Sequence, residues 1–211
     1  MSNDLSPVAG LSHEIRTSLV SVLGMAQLLA ATSLSDEQQQ LLTGVLDGGE
    51  TLLATLDGMI ELGKLEAGLT DLVIAPWEVR PWLMAACDLL RPQAEAKGLV
   101  LDVSCDADVP VQVLGDAGRV RQILFNLLTN AIRHSDHGSI DIRLTWQEAS
   151  SRKPSQLVLS VQDHGEGIDD EMLARLFSPL LGVKPATRGR AGLGLAICRR
   201  LATCLGGDIW V

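Results

Sequence analysis

The chain has 211 residues, of which 46% are hydrophobic and 20% charged, and its formal net charge is −9 with a pI near 4.8. This length and composition suffice for one large domain or two small ones with a buried core. The acidic balance argues against a nucleic-acid partner, because phosphate binding requires a basic patch and the only candidate is the short pair Arg199-Arg200.

Two helices are predicted at the start of the chain. Apolar residues recur at spacings of four and three from Ile15 to Leu29, on one face of a helix over about 7–31. After a break, Ser35 with Gln38 three residues later has the pattern of a capping box for a second helix that ends near Glu66. Residues 1–70 therefore form a predicted helical hairpin.

The second helix contains five glycines, which together remove roughly 3–5 kcal/mol of helical preference. We therefore predict that it frays or bends, with hydrogen exchange over 43–64 faster than over 11–30. The glycines are Gly44, Gly48, Gly49, Gly58 and Gly63.

The predicted hairpin has an apolar seam of roughly heptad spacing but only two helices. Its apolar faces cannot be covered fully without a second copy. We therefore expect a homodimer in which two hairpins form a four-helix bundle.

The composition changes to α/β after a linker at 68–76. The pattern predicts a helix over 78–97, a strand over 99–103 and a helix that begins after an Asp116 cap and ends near His134. Alternating apolar residues predict two antiparallel strands, which are followed by a short helix, a long helix and a last strand. These elements lie at 140–146, 157–161, 171–177, 193–205 and 208–211. Residues 71–211 are thus predicted to form an α+β sandwich, with one further C-terminal strand lying outside the sequence.

Two glycine motifs have features of a nucleotide site. In 163–167 a carboxylate enters a turn that lacks Cβ atoms, and Asp163 can accept a hydrogen bond from an exocyclic amine such as adenine N6. In 192–194 two glycines open a helix, whose free N–H groups attract phosphate. Each motif also occurs in turns and helix starts without a ligand, so a structural role stays open. Walker A and Rossmann sites are excluded, because Gly-Lys-Ser/Thr and a long parallel βαβ run are lacking.

Polar residues on the predicted helix before 134 complement those motifs. Asn126 and Asn130 lie four residues apart on one face, so their amide oxygens can converge on Mg²⁺ that carries nucleotide phosphates. Arg133 can reach a phosphate. His134 either stacks on a base or is a solvated histidine at the helix C-terminus.

His13 lies in the first turns of the amphipathic N-terminal helix, where a histidine is commonly a plain surface residue. Its neighbours favour a nucleophile. Glu14 can hydrogen-bond one ring nitrogen and leave the other free to attack a γ-phosphoryl group, and Thr17 lies one turn further on. A zinc-protease motif is excluded, because H-E-x-x-H requires histidine at position 17.

Taken in order, these motifs resemble the catalytic core of a hybrid sensor histidine kinase. The matching segments are 11–17 for the H box, 121–133 for the N box, 163–167 for the G1 box, 176–179 for the F box and 192–197 for the G2 box. The resemblance implies a GHKL (Bergerat-type) ATP-binding sandwich after the dimeric bundle. An unrelated α/β domain would have to acquire all five segments by chance.

The resemblance also implies a role for each site residue. His13 would be the phosphoacceptor, Glu14 its activating base, and Thr17 the residue that orients water in a phosphatase reaction. The phosphoryl group would pass to an aspartate of a response-regulator receiver domain. Asn126 and Asn130 would face Mg²⁺, and Asp163 would read the adenine of ATP. The pocket and its lid would be shaped by four glycines: Gly165, Gly167, Gly192 and Gly194.

The chain departs from the family pattern at three places. Ser18 stands where the family has proline, Leu180 where it has an aromatic residue, and Arg190-Ala191 where it has a small pair. They favour, as an alternative, a catalytically weak regulator that binds and modulates a second histidine kinase. A GHKL ATPase that drives clamp closure is disfavoured, because it would lack the histidine hairpin.

The apolar run at 82–87 is too short to span a membrane, and the start of the chain lacks the basic residues of a signal peptide. The four cysteines show no CxxC spacing and are expected to be reduced thiols. With the resemblance, we expect the cytoplasmic portion of a membrane-anchored bacterial sensor, attached through regions outside this sequence.

Overall fold

The structure is a computed structural model that describes residues 6–149, 154–173, 175–178 and 193–211, with side chains from residue 13 onward. These residues fall into two compact units. The first contains 6–70 together with 178 and 193–197, and the second contains 71–149, 154–173, 175–177 and 198–211.

The first unit contains the predicted helical hairpin. Helix α1 spans Ser6–Ala30 and α2 spans Asp36–Glu66. The predicted capping box is confirmed: the backbone N–H of Gln38 donates to Ser35 Oγ at 3.3 Å, and the backbone N–H of Ser35 donates to Gln38 Oε1 at 2.9 Å. The start of α2 is thus set by four consecutive residues.

Helix α2 runs without interruption through its five glycines. At one of them a side chain would displace a neighbour, since a Cβ atom on Gly49 would lie 2.4 Å from Leu23 Cδ2. Leu23 is buried and fills this space from α1. Helix α2 is thus uninterrupted, and its predicted fraying or bending, with faster exchange over 43–64, stays a prediction.

The apolar stripe predicted on α1 is only partly buried within one hairpin. Ala26 is 8% exposed, but Ile15, Val22 and Leu29 are 41%, 53% and 51% exposed. Helix α2 repeats the pattern, with one apolar set buried and another in solvent.

The second unit is α+β. Its last helix begins at 193, but the first five residues of that helix are assigned to the first unit. Its elements are β1 Ala75–Glu78, α3 Val79–Glu95, β2 Val100–Cys105, β3 Gln112–Gly115, α4 Ala117–His134, β4 Ser139–Gln147, β5 Gln156–Gln162, α5 Asp170–Leu173 and α6 Leu193–Cys204.

The strands of the second unit form two sheets. Strands β2, β4 and β5 form a mixed sheet in which β4 is central, parallel to β2 and antiparallel to β5. The predicted β4–β5 hairpin is confirmed, with Leu144 opposite Leu159. Strands β1 and β3 form an antiparallel ribbon that the sequence patterns did not predict. Part of the expected linker is therefore a strand.

One hydrophobic core lies between the mixed sheet and helices α3 and α4. The alternating residues Ile140, Ile142 and Leu144 of β4 are fully buried, as their period of two predicts. Leu124 and Leu128 of α4 are fully buried too. The core therefore fixes which face of α4 is turned away from the sheet.

Two predicted elements differ at the C-terminal side. The short helix is confined to Asp170–Leu173, and turns follow it at 175–177. The predicted strand at 208–211 is wrong, since no regular secondary structure is assigned there. A strand needs a neighbour to complete its hydrogen bonds, and within the described ranges these residues pair with none. No helix in the described part of the chain combines the length and the apolar character needed to cross a membrane.

Candidate functional site

His13 lies on the exposed surface of α1, two turns after the helix begins. Glu14 is also exposed, and in the described ranges no hydrogen bond joins its carboxylate to the His13 ring. The predicted nucleophile is therefore accessible, and the role of Glu14 as its base stays a prediction.

Two residues of the following turn brace this part of the hairpin. The Thr17 hydroxyl donates to the carbonyl oxygen of His13 at 2.9 Å, so Thr17 lies on the same face as predicted. The Arg16 guanidinium forms an ion pair with Asp57 of α2. Because both partners are about half exposed, the pair contributes little to stability, but it joins α1 to α2 one turn after His13.

Helix α4 presents the predicted polar face. Asn126, Asn130 and Arg133 are each half-buried, and His134 is exposed in the last turn. The first two lie on one side of the helix, away from the core residues Leu124 and Leu128. The amide groups can therefore serve one common ligand.

The end of α4 is held by a residue that the sequence patterns did not identify. The Lys97 ammonium group donates to the carbonyl oxygens of Ile132, Arg133 and Ser135 at 2.8, 3.1 and 3.2 Å. These are among the carbonyls that a helix C-terminus leaves without an internal partner. No local pattern could have predicted this contact, because Lys97 lies 35 residues before Ile132.

The loop after β5 lies against this same end of α4. A Cβ atom on Gly165 would sit 2.3 Å from the carbonyl oxygen of His134, so only glycine fits. The N–H of Gly165 donates to Asp163 Oδ1 at 2.9 Å. The structure therefore brings Asp163 and Gly165 together with His134, as the combination of motifs requires.

Two further features shape the same loop. Gly167 has φ +76°, a conformation that side-chain-bearing residues rarely adopt. The His164 ring, through Nδ1, makes a 2.9 Å hydrogen bond with the carbonyl of Ser139 at the start of β4. The Asp163 side chain is exposed, and its Oδ1 is the oxygen that accepts from the Gly165 N–H.

The start of α4 is held by Asp116, one of the few buried polar side chains in the described ranges. Its Oδ1 accepts from the N–H of Arg119 at 3.0 Å, which confirms the predicted cap, and its Oδ2 accepts from the N–H of Val73 at 2.9 Å. Burial acts to raise the pKa of Asp116, but the N–H groups of Val73, Arg119 and Gly118 and the Arg119 charge bring it below its ordinary value. Asp116 therefore joins the segment before β1 to α4.

Of the second glycine motif, Gly192 lies outside the described residues, and Gly194 is half-buried in the first turn of α6. The departures at Leu180 and Arg190-Ala191 also lie outside them. Further along α6, Arg199 stacks over the ring of Phe177 at 5.6 Å.

Two family descriptions match the chain. Residues 8–68 match "His Kinase A (phospho-acceptor) domain", and residues 115–211 match "Histidine kinase-, DNA gyrase B-, and HSP90-like ATPase". The first match contains His13 and the second contains all the glycine and asparagine motifs.

Curated relatives match almost the whole chain. "Sensor protein TorS" of Escherichia coli K12 is 37% identical over 204 residues, which are 96% of this chain and 22% of TorS. "Autoinducer 2 sensor kinase/phosphatase LuxQ" of Vibrio cholerae is 36% identical over 97% of this chain and 24% of LuxQ. "Signal transduction histidine-protein kinase BarA" of E. coli K12 is 35% identical over 96% of this chain and 22% of BarA. The chain thus spans less than a quarter of each of these relatives.

Solved structures agree with the sequence matches. Full-length ShkA in complex with AMPPNP has a TM-score of 0.75 and 33% identity, over 95% of this chain and 41% of that one. The Acinetobacter baumannii histidine kinase AdeS has a TM-score of 0.60 and 23% identity, over 90% of this chain and 86% of that one, and supports the fold alone.

Proposed function

The chain belongs to the sensor histidine kinases, and from that membership we propose that it is a catalytic core in which ATP phosphorylates His13. The observation that supports this proposal most directly is the contact between His134 and Gly165. It joins the helix of Asn126 and Asn130 to the loop of Asp163. Metal-binding and adenine-binding groups then belong to one site. The chain covers only a small part of each relative, so activity and partners are inferred from its own residues.

The apolar residues left exposed on the hairpin support a homodimer. They repeat every seven residues on both helices, at Ile15, Val22 and Leu29 on α1 and at Val45, Leu52 and Met59 on α2. A seven-residue repeat is typical of helices that pack against a neighbouring helix along their whole length. Two hairpins that bury these stripes against each other form a four-helix bundle.

The residues of the ATP site fit a nucleotide that brings its own metal. Within the described ranges no group of three or more His, Cys, Asp or Glu side chains is placed to hold a metal ion. Mg²⁺ commonly keeps waters and substrate phosphates as ligands and takes few from the protein, which suits the amide oxygens of Asn126 and Asn130. Bound there, Mg²⁺ would neutralise charge on the phosphates. Arg133 would contact a phosphate and His134 would lie beside the base.

Adenine recognition is assigned to Asp163. Its Oδ1 is fixed by the Gly165 N–H, which leaves the orientation of the carboxylate defined before a ligand arrives. Its exposed position lets it accept a hydrogen bond from adenine N6. Gly167, Gly192 and Gly194 allow the backbone to approach the nucleotide.

The transfer step uses His13 as the nucleophile. A lone pair on one ring nitrogen attacks the γ-phosphorus, a P–N bond forms, and the bond from that phosphorus to the bridging oxygen breaks, so ADP leaves with that electron pair. The proton on the other ring nitrogen passes to the Glu14 carboxylate. Thr17 orients water when the same domain acts as a phosphatase.

The phosphoryl group is then passed to an aspartate of a response-regulator receiver domain. The exposure of His13 leaves room for such a partner on the hairpin. The cysteines are free thiols, in keeping with a reducing compartment and thus with a cytoplasmic location of this part of a membrane-anchored sensor.

Incubation with γ-labelled ATP and Mg²⁺ tests this proposal. We expect acid-labile label on the wild-type chain and none on His13→Gln. His137→Gln is the matched control, because His137 is an exposed histidine outside the site and should keep full labelling. A wild-type chain that binds ATP analogues but takes no label would contradict the kinase assignment.

A second candidate is a regulator that binds another histidine kinase and has little activity of its own. The observation in its favour is that α1 continues unbroken through Ser18, where family members have proline. Proline would remove a helical hydrogen bond and favour a kink next to the phosphoacceptor, whereas serine keeps the helix regular. Absence of label and of nucleotide affinity, together with retained binding to a purified second kinase, would favour this candidate.

A further inference from the structure

We propose that Lys97 is a positioning residue for the adenine side of the nucleotide site, an inference that rests on the proposed function. Lys97 lies outside all five motifs. It acts through the end of α4 and the loop at 163–167, and it contacts no part of the nucleotide itself.

The Lys97 side chain makes several hydrogen bonds to the end of α4. The last turn of α4 and its C-cap Ser135 offer carbonyl oxygens as acceptors, and the Lys97 ammonium donates to those of Ile132, Arg133 and Ser135 at once. A charged donor shared by three carbonyls also opposes the negative end of the helix dipole. Lys97 is exposed, but the bonds to Ile132 and Ser135 are partly buried, and Ser135 itself is fully buried.

The carbonyl of His134 lies between the carbonyls that Lys97 binds. The Lys97 bonds fall on both sides of the His134 carbonyl, which is the group that Gly165 touches. Fixing the peptide units of Arg133 and Ser135 therefore fixes the direction of the His134 carbonyl. The loop rests on that oxygen, and Gly165 in turn donates to the Asp163 carboxylate.

The backbone of Lys97 is itself held by hydrogen bonds. It lies in the tight turn between α3 and β2, where its N–H donates to Ala94 at 2.9 Å and the N–H of Leu99 donates to the same carbonyl at 3.0 Å. Gly98 closes the turn with φ +72°. The backbone of Lys97 is thus held in this turn, and its ammonium group is held by the end of α4.

These contacts separate two roles for Lys97. If Lys97 only stabilised the domain, its loss would change the binding of all nucleotides alike at temperatures where the protein is folded. If it positions Asp163, its loss would weaken mainly those nucleotides that offer an amine to that carboxylate. ATP has this amine, and ITP has a carbonyl oxygen in its place.

The experiment compares the affinities of the full chain for ATP and ITP in wild type, Lys97→Met, Lys97→Gln and Lys97→Arg. We expect Lys97→Met to lower the affinity for ATP about tenfold and the affinity for ITP little. The reason is that a misplaced Asp163 no longer accepts from the adenine amine, while the rest of the site is unchanged. Lys97→Arg should restore most of the selectivity, since a guanidinium can also donate to several carbonyls. Lys97→Gln should be intermediate.

Lys64→Met is the matched control, because Lys64 is an exposed lysine in the hairpin and its removal changes the net charge equally. A second test uses Gly165→Ala, which breaks the same contact from the loop side. In a double-mutant cycle the two changes should be strongly non-additive for ATP affinity.

Persistence of the wild-type ATP/ITP ratio in Lys97→Met, or an additive cycle, would overturn the inference while the proposed function stands. A wild-type chain that binds neither nucleotide would overturn the proposed function and this inference with it.

Discussion

The His134 carbonyl oxygen and the backbone of Gly165 approach so closely that a Cβ atom at position 165 would lie 2.3 Å from the oxygen. The obstacle is a backbone atom whose neighbours are held by Lys97, so it cannot rotate away as a side-chain end could. Position 165 therefore accepts only glycine, and the reason is close packing and not a positive φ angle.

Gly165→Ala should lower the affinity for ATP by at least about tenfold, because the loop must move and Asp163 moves with it. Titration with a fluorescent ATP analogue measures the change. Gly207→Ala is the control, since its Cβ would lie at an ordinary 3.6 Å from the Ala202 carbonyl. Equal affinities of the two variants would remove the loop from the nucleotide site.

Asp116→Ala should destabilise the second unit by about 2 kcal/mol at neutral pH, since it removes a helix cap and a second buried acceptor together. Asp116→Asn should cost less, because its one oxygen can satisfy either Arg119 or Val73. Urea unfolding of both variants against wild type gives the values.

This contribution should also depend on pH with a defined sign. The pKa of Asp116 is lower in the folded chain than in the unfolded one, so the carboxylate stabilises the fold fully above the unfolded pKa. The stabilisation is lost as the pH falls through the folded pKa. The difference between wild type and Asp116→Asn should therefore shrink in acid, and a difference that grows there would be inconsistent with the assigned bonds.

Local signals explain what could be predicted from the sequence. Ser35 with Gln38 and Asp116 with Arg119 are caps that act within three residues, and both start helices where expected. The period of two in β4 likewise needs no distant partner to be recognised. Site residues within one helix or one turn, such as Asn126 and Asn130, follow from the same kind of signal.

Features that depend on distant partners could not be predicted in this way. The β1–β3 ribbon pairs Trp77 with Val113, and Pro76 within β1 argues against a strand when it is read alone. The role of Lys97 depends on carbonyls more than 30 residues away. Conversely, residues 208–211 include three apolar residues with the composition of a strand and still form none, because a strand also needs a partner to pair with.

Two glycines of α2 should respond in opposite ways to alanine. Gly44 has nothing within 4 Å of its Cβ position, so Gly44→Ala should stabilise the hairpin by about 1 kcal/mol and slow hydrogen exchange over 43–64. Gly49→Ala should lose that gain, because the new Cβ meets Leu23. Thermal unfolding and exchange measure both effects, and equal stabilisation by the two variants would contradict the packing of Leu23 over Gly49.

The cysteines should differ widely in reactivity. Burial raises the pKa of Cys87 to about 11, an effect that the Asp88 charge adds to and the Arg91 charge opposes. At pH 8 the thiolate of Cys87 is scarce and inaccessible, so alkylation should modify exposed Cys204 first. Mass spectrometry of the partly modified protein shows the order in which the cysteines are alkylated. Early labelling of Cys87 would show that α3 opens in solution.

Leu52→Glu should convert the proposed dimer to monomers. Leu52 is 53% exposed in one hairpin and borders a groove formed with Ile15 and Val22 of α1, on the stripe that repeats every seven residues. A carboxylate at this position would lie unpaired inside the four-helix bundle, which should weaken association by about a hundredfold or more.

Sedimentation velocity over a range of concentrations measures this change. Leu89→Glu is the matched control, since Leu89 is 66% exposed on α3 of the other unit and acquires the same charge. That variant should stay dimeric. If Leu52→Glu dissociates no more readily than Leu89→Glu, the exposed stripe is not the dimer seam, and the second hairpin must pack against a different face of α1 and α2.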